Sequence, residues 1–175
     1  KTPIWVRRPI TVRAGDRWIS AEPAGRLVVD YAMTFGHAKF PAQRIVLTLN
    51  RETFIREVAP SRTFGFLRDV QALWSQGLAL GGSLENAVVI GEEGVLNETL
   101  RFEDEMIRHK VLDLVGDLYL LGRPLRAKVT AHGAGHALHA HLAREILRQH
   151  RAAEAAAKAP EPAWEVPFLP PEPFS

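Results

Sequence analysis

The chain has 175 residues, of which 46% are hydrophobic and 24% are charged, and its net charge is +2. These proportions are typical of a globular domain, and no apolar run is long enough to cross a membrane as a helix. The sequence contains no cysteine, which excludes disulfides and thiolate metal sites. The absence of cysteine fits a cytoplasmic location, which we expect. The basic residues are scattered, so we expect no nucleic-acid partner.

The first fifty residues are typical of β structure. Turn-forming residues separate three segments in which apolar residues alternate with polar ones or run together: Ile10–Ala14, 18–22 and Leu27–Met33. A fourth segment, Gln43–Leu49, also alternates. Short strands at such intervals predict an antiparallel meander. Asn50 is then suited to cap a short helix that Pro60 ends.

A small insert is predicted after this short helix. The segment SRTFGF, residues 61–66, places two phenylalanines around Gly65, which indicates a core-facing turn in which the glycine permits close backbone approach. An amphipathic helix is predicted over residues 67–76, ended by Gly77. A glycine-broken loop at 78–83 then leads to a strand and a hairpin turn. We expect residues 78–84 themselves to form a βαβ-like insert.

Residues 101–121 predict a long helix with acidic residues in its first turn. His109 and Asp113 lie one turn apart on it, with Lys110 beside the histidine and Asp117 one turn further on. An imidazole and a carboxylate at i and i+4 can bind one divalent ion. Their nitrogen and oxygen ligands suit zinc, and iron or nickel would also accept them. The same spacing is also common in a hydrogen-bonded pair without metal. A catalytic zinc site needs three protein ligands, so this pair alone is incomplete.

A group of histidines follows the long helix. A strand is predicted at residues 127–131, then a Gly-Ala-Gly turn, then a helix over 137–149. His132 or His136 is a candidate for a third metal ligand. Alternatively, a histidine beside this turn acts as an acid or an electrostatic group that a nearby carboxylate such as Asp117 orients.

The remaining histidines are interpreted as having no chemical role. His139 and His141 lie on the predicted second helix and are interpreted as structural or exposed. His150 is expected to be exposed, and so is His37 in a loop between two strands.

Three motifs together resemble one known family. They are SRTFGFLRDVQALWSQGLALGGSLENAVV, VLNETLRFEDEMIRHKVLDLVGDLYLLG and GAGHAL, in this order along the chain. Over residues 9–147 the sequence resembles the C-terminal half of the LpxC family of UDP-3-O-acyl-N-acetylglucosamine deacetylases. The resemblance implies a zinc enzyme that removes the acetyl group from UDP-3-O-acyl-N-acetylglucosamine in lipid A biosynthesis.

The resemblance also implies a fold. Family members consist of two similar α+β domains with the zinc between them, and this chain corresponds to the second domain. We therefore expect an α+β fold, with a mainly antiparallel sheet, two long helices packed on one face and a small βαβ-like insert. Residues 1–150 are assigned to this domain and residues 151–175 to an Ala/Pro-rich tail whose first part can extend the last helix.

The family's motifs assign roles to particular residues. His109 and Asp113, in an HKxxD pattern, would be zinc ligands. His136, in a GxGH motif, would stabilise the oxyanion as a cation and help to protonate the leaving amine, and Asp117 would orient it. Thr63 would polarise the acetyl carbonyl. Four further residues would contact the substrate or border its acyl channel: Lys110, Phe64, Gly65 and Gly82.

The sequence departs from the family pattern in two small details and one large one. His139 stands where an Asn is expected after GHAL, and the loop at 97–100 is one residue short. The family's third zinc histidine and its general-base glutamate belong to the first domain, and no equivalent of that segment is found. The start of the chain also lacks an initiator Met and the apolar core of a signal peptide.

Three interpretations follow from the missing first domain. In the first, the chain is one piece of a longer zinc deacetylase and is inactive alone. In the second, it is a single-domain relative that acts as a binding or interaction module with a remnant metal site. In the third, it is an unrelated small zinc hydrolase that uses His132 or His136 as its third ligand.

Overall fold

A computed structural model describes residues 2–36 and 40–158. His37 and residues 159–175 of the predicted tail lie outside the described residues. The strands in the described part are β1 (Ile4–Trp5), β2 (Ile10–Ala14), β3 (Arg17–Glu22), β4 (Leu27–Met33), β5 (Gln43–Leu49), β6 (Thr63–Phe66), β7 (Ala87–Gly91), β8 (Gly94–Val95), β9 (Leu125–Arg126) and β10 (Lys128–His132). The helices there are α1 (Arg51–Thr53) with a π-helical turn (Phe54–Val58), α2 (Leu67–Ser75), α3 (Glu105–Leu118) with a 3-10 turn (Tyr119–Leu121), and α4 (His136–Lys158).

Five strands form the main sheet in the order β2-β3-β10-β4-β5. Its neighbouring strands are antiparallel except β10 and β4, which are parallel. The fold is α+β, and the prediction of a mainly antiparallel sheet is confirmed. The predicted meander is wrong, because β10 lies between β3 and β4. Alternation within a strand indicates which side chains share a face but not which strand is the neighbour.

One face of the main sheet forms the core. The register places Val129 beside Ala21 and Val29, and Ala131 beside Tyr31, so their buried side chains share one face. Helix α3 packs against β4 and β5, and α4 packs against β2 and β3. Two long helices on one face are therefore confirmed, and they pack against strands from the first fifty residues.

The insert is a βαβ unit in which β6 and β7 are parallel and α2 joins them, with β8 completing a hairpin. Two details of its prediction are wrong. Residues 63–66 form a strand rather than a turn, and residues 78–84 are the loop between α2 and β7 rather than the unit itself. Gly65 permits close packing as expected, but against a side chain rather than backbone, because an added Cβ would lie 3.3 Å from Val70 Cγ2 on α2.

The two long helices differ from their predicted lengths. Helix α3 begins at Glu105 instead of residue 101, because the Glu105 carboxylate accepts a hydrogen bond from the Arg101 N–H at 2.7 Å and holds the preceding residues outside the helix. Helix α4 begins at His136 and continues through His150 to Lys158. Among the described residues, no helix is long and apolar enough to span a membrane.

Candidate active site

Helix α3 brings His109 and Asp113 together on one face. Their side chains are largely buried, and His109 Nε2 lies 3.2 Å from Asp113 Oδ1. His109 Nδ1 lies 3.3 Å from the Ser61 carbonyl oxygen, an acceptor, so the neutral ring carries its proton on Nδ1. The lone pair of Nε2 then faces a carboxylate oxygen. A cation between two such acceptors would stabilise this arrangement.

The separation of these two atoms fits one divalent ion. Nitrogen and oxygen ligands about 2.0–2.2 Å from a tetrahedral zinc ion lie about 3.4 Å apart, close to the 3.2 Å between Nε2 and Oδ1. The second oxygen of Asp113 accepts a hydrogen bond from Lys110 Nζ at 2.5 Å. One oxygen thus remains for a metal while the other is neutralised.

Asp113 is held in its charged form. Burial raises the pKa of this carboxyl, but the neighbouring side chains of His109 and Lys110 lower it to about 2. The carboxylate is therefore ionised at neutral pH, the state in which it binds a metal.

A second histidine–carboxylate pair lies beside the first. His136 Nδ1 is 2.7 Å from Asp117 Oδ2, and His136 Nε2 is 4.0 Å from Asp113 Oδ2. The His136 side chain is 68% exposed, so it is accessible to a bound molecule. Because an ionised carboxylate only accepts, Nδ1 donates to Asp117 and Nε2 is directed towards Asp113.

A tight turn brings His136 to this position. It links β10 to α4, and Gly133 within it has a φ of +56°, in the left-handed region that favours glycine. An added Cβ at Gly133 would also lie 3.1 Å from Arg17 Cγ. The turn directs the chain from the sheet to the end of α4 that lies beside Asp117.

The insert contributes an aromatic wall. The centroid of the Phe64 ring lies 6.3 Å from that of the His109 ring and 6.0 Å from Lys110 Nζ. Phe64 also meets Phe35 edge to face, with the ring centroids 5.4 Å apart. Thr63 directly precedes Phe64 in β6 and is exposed. Strand β6 therefore places an apolar ring and a hydroxyl-bearing residue beside α3.

A buried ion pair, which sequence reasoning missed, holds β6 against α3. Glu105 is fully buried, and its Oε1 accepts hydrogen bonds from the Arg62 N–H at 2.9 Å and from Arg62 Nε at 2.8 Å. Burial raises the pKa of Glu105, but hydrogen bonds from Arg62 and Arg101 lower it to about 2. Arg62 adjoins Thr63, and Glu105 lies one turn before His109. The ion pair therefore fixes the position of the insert relative to His109.

The interpretation of His139 was incomplete. It is fully buried, its Nδ1 lies 2.8 Å from Asp117 Oδ2, and its Nε2 lies 3.0 Å from the Tyr31 hydroxyl. Asp117, His136 and His139 also form a group whose potential ligand atoms lie within 4.8 Å of one another and could hold a metal. Both imidazoles already bond to the carboxylate, however, so this group is satisfied without an ion.

The other histidines lie elsewhere. His132 is exposed and follows Ala131, whose side chain is on the core face, so it points to the opposite face of the sheet and stacks on Trp18 at 6.2 Å. It is therefore unsuited as a third ligand beside His109. His141 is exposed as expected, whereas the expected exposure of His150 is wrong: it is 16% exposed and contacts Glu154 at 3.2 Å.

An open cleft of about 450 Å³ lies on the insert rather than at the histidines, and Phe66, Leu67, Ile90 and Leu96 contribute its apolar lining. Gly65 lies within β6 beside this lining. Gly82 lies in the exposed loop after α2, where its N–H donates to the Ala79 carbonyl oxygen at 3.0 Å.

The structure brings six of the predicted residues together: His109, Lys110, Asp113, Asp117, His136 and Phe64.

These features define an α+β domain with a possible metal-binding histidine–aspartate site. A family model described as LpxC: UDP-3-O-acyl N-acetylglycosamine deacetylase matches residues 1–148. The chain belongs to the LpxC family. The resemblance that its motifs predicted is therefore confirmed, and the interpretation as an unrelated hydrolase is wrong.

Individual relatives give the same result. Proteins named UDP-3-O-acyl-N-acetylglucosamine deacetylase from Leptospira biflexa and Acidithiobacillus ferrooxidans are each 46% identical over 147 residues. One from Syntrophotalea carbinolica is 48% identical over 143 residues. The matches cover 84%, 82% and 81% of this chain but 49%, 48% and 46% of those proteins. The chain spans about half the length of the curated relatives that it matches.

Proposed function

We propose that this chain supplies half of the active site of a zinc-dependent deacetylase that acts on UDP-3-O-acyl-N-acetylglucosamine in lipid A biosynthesis. One observation carries the proposal. In a chain of the LpxC family, His109 Nε2 and Asp113 Oδ1 lie 3.2 Å apart, and His136 Nε2 lies 4.0 Å from the same carboxylate. The two proposed metal ligands and the proposed acid–base group thus lie together.

In this proposal His109 and Asp113 bind the zinc. The third ligand and the general-base glutamate come from a first domain that precedes this sequence in the complete protein. A bound zinc ion would lower the pKa of a water molecule and polarise the acetyl carbonyl. Lys110 neutralises the other oxygen of Asp113, and its remaining N–H donors contact the nucleotide-sugar.

His136 acts on the reacting amide. As an imidazolium it donates Nε2–H to the developing oxyanion and then transfers a proton to the leaving amine. Asp117 orients the ring by accepting the Nδ1–H, and the 2.7 Å distance supports this role. The Thr63 hydroxyl donates a hydrogen bond to the acetyl oxygen from the opposite side, where β6 runs beside α3.

The insert receives the acyl chain. Phe64 borders the histidines, and the apolar cleft lies on the same βαβ unit, so the acyl chain runs along this unit away from the metal. Gly65 keeps β6 and α2 close together, and the loop that contains Gly82 forms the outer border of the channel.

A second candidate is a non-catalytic relative that acts as a binding or interaction module. The observation that favours it is that the His109–Asp113 pair supplies two ligands, one fewer than a catalytic zinc site needs. Such a module would bind without turnover even when the other half of a family member is present.

Fusion to a first domain separates the two candidates. The first half of the Leptospira biflexa relative would be joined to this chain, and zinc affinity and release of acetate from UDP-3-O-acyl-N-acetylglucosamine would be measured. The proposal predicts weak zinc binding and no turnover for the chain alone, but tight binding and turnover for the fusion. A fusion that binds zinc tightly without turnover, while the intact relative is active in parallel, would support the binding module. Turnover by the chain alone would contradict both candidates.

A further inference from the structure

Tyr31 and His139 extend the site into the core of the protein. The Tyr31 hydroxyl, on β4, lies 3.0 Å from His139 Nε2 and 2.8 Å from the Ala134 carbonyl oxygen. The other ring nitrogen of His139 lies 2.8 Å from the Asp117 oxygen that His136 also contacts. A continuous chain of contacts thus runs from the sheet through Asp117 to the exposed His136.

The hydrogen-bond donors along this chain follow from the chemistry of each group. Burial raises the pKa of Tyr31, with the charges of Asp113 and Asp117 adding to the effect, so Tyr31 keeps its proton. Imidazole is a stronger base than a carboxylate, so the proton between His139 and Asp117 belongs to His139 Nδ1. This holds in both charge states of the ring. A neutral His139 accepts a hydrogen bond from the Tyr31 hydroxyl at Nε2. A cationic His139 donates at Nε2 instead, and Tyr31 then donates to the Ala134 carbonyl oxygen.

Two N–H groups therefore converge on a single oxygen. Asp117 Oδ2 accepts from His136 at 2.7 Å and from His139 at 2.8 Å. His136 is 68% exposed, whereas His139 is completely buried, so the two donors differ in their freedom to move. The two rings also meet edge to face, with centroids 6.0 Å apart. The buried ring is the fixed partner of the carboxylate, and the exposed ring depends on it.

We infer that His139 is a positioning residue, which fixes the Asp117 carboxylate from within the core and so holds His136 with Nδ1 protonated and Nε2 directed towards Asp113. Its effect on turnover rests on the proposed deacetylase function, but its effect on the His136 ring does not. His139 also stands where the resemblance to the family implies an Asn. An Asn amide can donate to Asp117, but it is shorter and cannot span to the Tyr31 hydroxyl as well.

NMR of the histidine ring nitrogens in the 175-residue chain tests the inference without a measurement of enzyme activity. Correlation spectra of histidine 15N nuclei report which ring nitrogen carries a proton. We expect a protonated Nδ1 in both His136 and His139, and we expect His139→Leu to leave His136 as a mixture of tautomers. His139→Asn should restore most of the Nδ1–H form of His136. The control is His141→Leu, an exposed histidine on the same helix, which should change neither signal.

Activity of the fused protein provides the second readout. His139→Leu should lower kcat by about tenfold, the scale for residues that orient a reacting group, with KM and zinc content unchanged. A His139 that carries its only proton on Nε2 would overturn the inference, and so would an unaltered His136 spectrum in a folded His139→Leu chain. If Leu at position 139 prevents folding, the Tyr31→Phe variant is measured instead. The His139 signal must then shift, and an unchanged spectrum overturns the inference. Loss of turnover in every fusion, with the NMR result as expected, would refute the deacetylase and leave the positioning role intact.

Discussion

Arg62 and Glu105 join the insert to the helix that carries the proposed metal ligands. Arg62 Nε lies 2.8 Å from Glu105 Oε1, and the two side chains are 9% and 0% exposed. The Arg62 guanidinium also donates to the carbonyl oxygens of Leu84 and Thr99, at 3.0 Å each. One buried ion pair thus connects β6, the loop before β7 and the start of α3, so the position of Phe64 relative to His109 depends on it.

Removing one partner of this pair should destabilise the whole domain. Glu105→Gln leaves the Arg62 cation buried without its counter-charge, and the loss should be about 3–5 kcal/mol of unfolding free energy. Urea denaturation followed by circular dichroism measures it. Glu103→Gln is the matched control, because Glu103 is exposed two residues earlier and its change should have little effect. Equal stability of the two variants would contradict the role of the ion pair.

The same carboxylate should make stability depend on acidic pH. The pKa of Glu105 falls from its ordinary value of 4.5 to about 2 in the folded chain. A lowered folded-state pKa contributes stability that is complete above about pH 5 and is lost as the pH falls towards 2. Asp113, whose pKa is also about 2, adds to the effect with the same sign. The urea midpoint should therefore drop between pH 5 and pH 3, and by less in Glu105→Gln. An identical drop in both proteins would exclude Glu105 as a contributor.

Loss of a proposed ligand should remove the metal. In the fusion with a first domain, Asp113→Ala should weaken zinc binding by more than about a hundredfold, beyond the range for residues that only support a ligand, and abolish turnover. Metal analysis after dialysis against a chelator measures the bound zinc. The control is Asp16→Ala, at an exposed turn far from Asp113 in the sequence, which should retain the bound zinc. Full zinc content in Asp113→Ala would show that the ligands are assigned wrongly.

His136 should affect the reaction but not the metal. His136→Ala should retain zinc while turnover falls on the order of a hundredfold or more, by analogy with the loss of one oxyanion donor. Acetate release and zinc content would be measured on the same preparation. A simultaneous loss of zinc would instead make His136 a ligand, and unchanged turnover would remove it from the mechanism.

Local patterns predicted the elements well but not their neighbours. Strands β2, β4 and β5 have the predicted bounds because alternation, turns and capping are local signals. The placement of β10 between β3 and β4, and the Arg62–Glu105 pair across 43 positions, depend on long-range contacts that no local pattern encodes.

The candidate site was predictable to a similar extent. The His109–Asp113 spacing and the GxGH motif both gave a local signal, whereas His139 gave none. An isolated histidine on an amphipathic helix is compatible with an exposed, a buried or a bonded position. Only its burial beside Tyr31 and Asp117 distinguishes these, and that burial is a product of the packing of α4 on the sheet.

The most direct test is the position of the metal. A crystal of the fused protein with zinc would be measured on both sides of the zinc absorption edge, and an anomalous difference map would be calculated. We expect a peak bonded to His109 Nε2 and Asp113 Oδ1, with a third ligand from the first domain. A peak among Asp117, His136 and His139, or none at the His109–Asp113 pair, would contradict this expectation.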